Sequence, residues 1–354
     1  MKTLSVVLAL GLALPASAQQ AGAAADFTRK AGQWMMSTEA SKRQAAYRTW
    51  MQMGPDAMDD YEKSLGVARK AHSAAIDKLC ATSGRSTNPY LEHLTVAEEL
   101  DAERDRVMPL IRTDWKKEPK KIAMLREEME NLTVLHEKAV RIAKADTTKL
   151  DATVNSHLDA LAEIAREMER FDDTLSTSEM DDDALRQFVL EDHFEASHLM
   201  KARERFIKTR DAHAKLEETT ETNRKLGGWC SGAMQNFTEI LNGERAVLGL
   251  PPLRIEEKLS AAAEGHSKDM ARLGFFAHES PVPEKKTPWD RARKAGFQGQ
   301  ASGENIFMGS TSPQAAYNGW FASDGHRFIM MASGPNVIGV GIAGKHWTMM
   351  TGRQ

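Results

Sequence analysis

"GENIF", Gly303–Phe307, puts a carboxylate and an amide at the start of a short stretch that otherwise reads as a buried strand. A buried carboxylate is costly without partners. Glu304 therefore either faces a polar cleft or hydrogen-bonds His326 and ties its strand to the "SDGHR" loop. Outward from this point, Val337–Ile342 and His346–Met350 are the other β-rich segments. Helical patterns cover Ala233–Val247, Ile255–Leu273, Pro288–Lys294 and Pro313–Ala322. The arrangement predicts a small sheet covered by helices.

Upstream of "LGGWCSG" the texture differs. From Asp26 to Lys225 the chain is rich in Ala, Glu, Lys, Arg, Met and Leu and poor in Gly and Pro, the mixture helices favour. Ile122, Leu125, Met129, Leu132, Leu135, Ala139 and Ile142 recur at three- and four-residue steps, and so do Leu150, Val154, Leu158, Leu161, Ile164, Met168 and Phe171. Such stripes must be buried against one another, as a helical bundle or coiled-coil hairpin. Breaks are expected at Ser83–Pro89, around Pro119, at Ala145–Lys149 and at Thr177–Asp183. In the last of these, Asp181–Asp183 suit a helix start and lack the spacing of a calcium loop. The fold class expected is α+β: an all-α helical domain at 19–225, then a small sheet covered by helices at 226–354.

Composition restricts function. The 354 residues carry a formal net charge of -3, which provides no basic field for nucleic acid. Lys2, the apolar Leu4–Leu14 and the small residues Ala16-Ser17-Ala18 read as a signal peptide, residues 1–18, cleaved before Gln19. No later apolar run is long enough to span a bilayer, so the protein is expected to be secreted or periplasmic and not membrane-spanning. In an oxidising compartment Cys80 and Cys230 either pair as a disulfide or remain buried thiols, and spacing does not choose between the two. His193 and His198, five apart, and the isolated His72, His93, His136, His157 and His213 read as packed or surface helix residues.

The C-terminal motifs occur in the order "LNGERAVLGLPPL", "FFAHESP", "WDRARKAGF", "GENIF", "GWFASDGHR" and "VIGVGIAGKHW". This string resembles the bacterial branch of the CAP superfamily, the cysteine-rich secretory, antigen 5 and pathogenesis-related proteins, from about Met234 to Arg353. The resemblance implies a CAP domain at 226–354, an α-β-α sandwich with a small antiparallel sheet, and a cleft lined by His278, Glu304 and His326, with Ser280 and Asp324 beside them. It also implies a divalent cation, often zinc, between His278 and His326. On chemical grounds two neutral imidazoles are good zinc ligands, and so few protein ligands would leave positions open to water. The chain departs from the family at Asp324, where many members place a second cleft glutamate, and at Ile329, where bacterial members often carry Asn. The "RFIMM" stretch is therefore more apolar than usual and favours a greasy ligand.

Three functions compete. The leading expectation is a secreted module whose cleft binds a small apolar ligand or another envelope protein. The alternative is a metal-dependent hydrolase or peptidase in which His278 and His326 hold the ion and Glu304 is the general base. In the third the long helices mediate self-association and the cleft is vestigial.

Overall fold

The computed structural model describes residues 29–53, 57–81, 88–111, 120–172, 175–191 and 193–354. The expected signal peptide and the breaks at 83–87 and around Pro119 lie outside these residues. The architecture is α+β. Its helices are α1 (Ala40–Gln52), α2 (Met58–Cys80), α3 (Pro89–Ile111), α4 (Lys120–Ala143), α5 (Thr148–Met168), α6 (Asp182–Glu191), α7 (Phe194–Arg224) and α8 (Gly232–Val247). Then follow β1 (Arg254–Ile255), α9 (Glu257–Leu273), α10 (Pro288–Lys294), β2 (Gln300–Met308), α11 (Pro313–Phe321), α12 (Asp324–Met330), β3 (Val337–Ala343) and β4 (His346–Arg353).

The chain forms two compact units, one of residues up to Asn88 with Asp146–Lys201, the other of Pro89–Ala145 with Ala202–Gln354. The change of composition near residue 225 is thus not where the packing divides. In the first unit, Met35, Ala46, Trp50, Tyr61, Leu65 and Ile164 form a core. Arg43, buried, forks onto Glu163 through Nε at 2.7 Å and Nη2 at 3.1 Å, the bidentate geometry that makes a guanidinium tolerable away from water. Asp181 caps α6 by accepting from the Ala184 N–H at 2.8 Å, the role its sequence context suggests.

In the second unit the strand order is β1-β3-β4-β2. The sheet is mixed rather than antiparallel, because β1 pairs parallel to β3; a two-residue strand lacks any readable alternation, and long-range topology alone orients it. Side-chain alternation splits the sheet into two faces. On one, Val337 and Met350 pack with Leu259, Ala262 and Ala263 of α9 and Ala292 of α10. On the other, Ile338, Val340, Trp347 and Met349 meet Phe237, Trp320 and Tyr317. The same core takes in Val107 and Ile111 of α3 and Leu125, Met129, Leu132 and Ala139 of α4. The α4 stripe is therefore buried as expected, though partly in the core of the sheet and not only against helices.

Buried polar groups fasten these layers. Arg104 Nε donates to Val247 O at 2.8 Å and Arg327 Nε to Ile111 O at 2.9 Å. Arg245, fully buried, donates to Pro251 O, Met330 O and Ala332 O, and burial pushes its pKa down to about 10. Cys80 and Cys230 are both free thiols; burial raises the pKa of Cys80 to about 11 and that of Cys230 as well, which makes both poor nucleophiles.

Candidate functional site

Helix α9 ends at Gly274, whose φ of 71° only glycine adopts at little cost. The chain turns out of the helix and returns through Ala277 and His278. His266, buried in α9, lies 3.0 Å through Nε2 from Ala277 O. Since a carbonyl only accepts, Nε2 carries the proton there. Asp269 of α9 accepts from Lys285 Nζ at 2.8 Å and from Arg272 at 3.0 Å. Burial works against its ionisation, but these two cations hold its pKa below the usual value.

Arg291 is the hub of the loop. Its Nη1 donates to Lys285 O at 2.9 Å and Lys286 O at 3.2 Å, its Nη2 to His278 O at 3.0 Å, and its side chain is 1% exposed. Nη2 also donates to Glu304 Oε2 at 2.5 Å. Oε1 of Glu304 accepts from His278 Nδ1 at 2.9 Å. The glutamate side chain is 2% exposed and that of the histidine 51%.

This geometry defines the chemistry. A guanidinium balances the buried carboxylate, and both carboxylate oxygens are engaged. By accepting from Nδ1–H, the carboxylate fixes the tautomer of His278, so the lone pair of the neutral ring is on Nε2 of a half-exposed side chain. The arrangement makes a positioned imidazole, with Glu304 as the group that orients it.

The other expected site residues lie as follows. His326 is half-buried on α12, and its carbonyl accepts from Asn305 Nδ2 at 2.9 Å. Asn305 follows Glu304 on an edge strand and points to the opposite face, so one dipeptide touches both the His278 loop and the His326 helix. Ser280 is buried in its own loop, accepting at Oγ from the Val282 N–H at 3.2 Å. Asp324 occupies the first turn of α12. Burial lowers the pKa of Arg327 to about 10, and the charge of Asp324 opposes that shift.

Sequence patterning does not single out Arg291, although "WDRARKAGF" contains it; an arginine inside a basic helix has no local mark of burial. The apolar "RFIMM" stretch is a helix, and much of it packs inward: Met330 and Met331 are buried, and a Cβ on Gly303 would meet Ile329 Cγ2 at 2.8 Å. Phe328 stays exposed, as do Phe276 and Trp289. These three aromatic residues lie two positions from His326, His278 and Arg291 respectively. Trp289 Nε1 donates to Ala301 O at 3.1 Å, which sets its ring at the start of β2.

Among the described residues, one group of three metal-type ligands has its ligand atoms all within 4.8 Å of one another, Asp77, His193 and Glu195; His278, Glu304 and His326 do not form such a group. At His193, Nδ1 accepts from the Ala196 N–H at 3.1 Å, so Nε2 carries a proton and faces Asp77 at 3.4 Å. That tautomer presents no lone pair to a cation.

Residues 238–347 match the family described as the cysteine-rich secretory protein family, CAP. The chain is 34% identical over 133 residues to the uncharacterized protein YkwD of Bacillus subtilis (strain 168), a match covering 37% of this chain and 51% of that protein. It is 32% identical over 116 residues to the uncharacterized membrane protein YlbC of the same organism, covering 32% of each. The match thus spans about half the length of the first relative and a third of the second. Among solved structures, an extracellular SCP-domain protein from Bacillus anthracis str. Ames is 33% identical, over 35% of this chain and 41% of that one, with a TM-score of 0.34. An outer surface protein from Borrelia burgdorferi is 17% identical, over 34% of this chain and 92% of that one, with a TM-score of 0.32.

Proposed function

The C-terminal third of the chain carries a CAP domain, and from that premise we propose that it acts as a binding module for an amphipathic ligand, recognised at His278. The observation that carries this reading is the occupied carboxylate of Glu304. With one oxygen on His278, the other on Arg291 and a side chain only 2% exposed, it positions an imidazole rather than facing solvent as a base would. The ring then offers Nε2 to the polar end of a ligand, and the exposed Phe276, Trp289 and Phe328 supply apolar surface for its body. Fatty acids and sterols are the classes to try first.

Isothermal titration of the mature protein with a fatty acid and with a sterol tests this. Saturable binding that weakens in His278→Ala and Trp289→Ala supports the module; absence of binding to either class sinks it. A divalent cation is proposed as an addition to the same site on donor chemistry alone, since His278, Glu304 and His326 are not gathered as a preformed group. His278 and His326 would hold it and Glu304 would stand behind the first ring, a carboxylate-histidine arrangement that raises ligand basicity. Bound zinc would supply a Lewis-acid centre with positions open to water. A rise in melting temperature on adding zinc, abolished in His278→Ala, checks that addition. The hydrolase reading would need Glu304 to leave Arg291, and it ranks second for that reason.

No described helix is long and apolar enough to cross a membrane. The apolar Leu4–Leu14 and the Ala16-Ser17-Ala18 site support export to the periplasm or beyond. The intact mass of protein recovered from the cell envelope checks cleavage before Gln19.

A further inference from the structure

Three helices of the second unit turn one stripe each toward a common space. From α4 come Thr133, His136 and Val140, and from α7 His213 and Leu216. From α8 come Ile240, Gly243, Glu244 and Val247. These spacings of three, four and seven are those by which a helix presents one face. Stripes of this kind ordinarily close on one another; here they line a wide-mouthed cavity of about 840 Å³ that opens to solvent, a size usual for small-molecule sites. Gly243 contributes to the opening. It lies inside a helix, where glycine weakens the structure, yet a Cβ added to it would meet nothing within 4 Å.

The charges around this space do not cancel. Glu239 is paired with Arg224. The carboxylate of Glu244 has no hydrogen bond or ion pair among the described residues, although Arg126 acts on it at longer range. Burial raises its pKa, the mark of a carboxylate short of a counter-charge. His136 on the facing helix supplies none, because burial lowers its pKa to about 4 and keeps it neutral. Glu137 adds a further acid at the rim.

We infer that this cavity binds an organic cation with an apolar body, its ammonium group on Glu244 and its body against Val140, Leu216, Ile240 and Val247. Such a ligand would supply a close counter-charge where Arg126 acts only at longer range, and would fill space that the three helices leave open. Helices α4 and α7 lie outside the residues matched to the CAP family and α8 lies mostly within them; the lining shares no residue with the His278, Arg291 and Glu304 cluster, so the two sites are separate.

The full chain is titrated at neutral pH with dansylcadaverine, an amine carrying an aromatic body, and separately with 6-(dansylamino)hexanoate, which carries the same body and a carboxylate. The expected result is one-to-one binding of the amine, with blue-shifted emission and affinity roughly tenfold or more above that of the carboxylate. Glu244→Gln and Gly243→Phe should each weaken the amine by roughly tenfold, while His278→Ala binds as the unaltered protein does. Equal affinity for both probes, binding of neither, or wild-type binding by Glu244→Gln would overturn the inference. Circular dichroism reports whether Gly243→Phe folds; should it not, Glu244→Gln decides alone.

Discussion

At the scale of single residues, Arg291 and Glu304 must be considered together. Each is nearly excluded from solvent, and each is the other's main compensation. Removing one charge leaves the other buried, at a cost of about 3–5 kcal/mol. Arg291→Met should therefore destabilise the protein by about that much, measured as a fall in the urea midpoint. Glu304→Gln should lose less, since the amide keeps an acceptor for one partner, but it would no longer fix the tautomer of His278. Gly303 is constrained differently: its missing Cβ leaves room for Ile329 and Thr351 Oγ1, which would otherwise lie at 2.8 and 3.2 Å. Gly303→Ala is expected to cost about 1–3 kcal/mol by overpacking. "GENIF" thus has a residue-by-residue account: glycine for close approach of α12, glutamate for the imidazole, asparagine for the carbonyl of His326.

At the scale of elements, the contact between α9 and the sheet is what sets the site in place. A Cβ on Gly341 would lie 2.0 Å from Glu264 N and one on Gly339 2.3 Å from the Leu259 carbonyl carbon, both in backbone that cannot swing aside. Ser267 of α9 donates to Gly341 O at 3.0 Å and lies 2.9 Å from Thr348 Oγ1, which fastens the helix across two strands. Gly341→Ala should cost about 4 kcal/mol or more, as expected when a packed backbone must move. It should also loosen the His278 loop, since Asp269 and His266 hold that loop to the same helix. Faster amide exchange over residues 275–287 would show the coupling; unchanged protection there would refute it.

At the scale of the whole molecule, buried histidines govern the response to acid. Burial lowers the pKa values of His72, His93, His136, His157 and His266, that of His136 to about 4. In the unfolded chain these rings bind protons near pH 6.5, so the unfolded state takes up more protons across the interval below it. The stability they contribute is present above pH 6.5 and is lost progressively as the pH falls toward about 4. Urea midpoints measured from neutral pH down to about 4 should decline steadily, and His136→Gln should flatten part of that slope. The second unit also predicts that a chain cut to residues 226–354 loses the cover of α3 and α4 over Phe237, Leu241 and Trp320. It should bind a hydrophobic dye and melt well below the full chain.

Much of this was legible in the order of residues alone. The stripes of α4 and α5, the helix at Pro288–Lys294, the strands around "GENIF" and after Val337, and the pairing of Glu304 with a histidine all follow from periodicity, from capping chemistry or from the cost of burying a charge. Those are local constraints, carried by a handful of neighbouring residues. The residues suggest for Glu304 either a cleft shared with His278 and His326 or a bond to His326 alone; in the fold it accepts from His278 and from Arg291, which no local pattern marks. The compact unit that joins Pro89–Ala145 to the CAP segment, the parallel β1 and the cavity among α4, α7 and α8 came from the fold too. Each depends on residues far apart in the chain meeting across space. An apolar stripe states that it must be buried, but what buries it, and whether the space between stripes closes, is settled only by how whole helices pack.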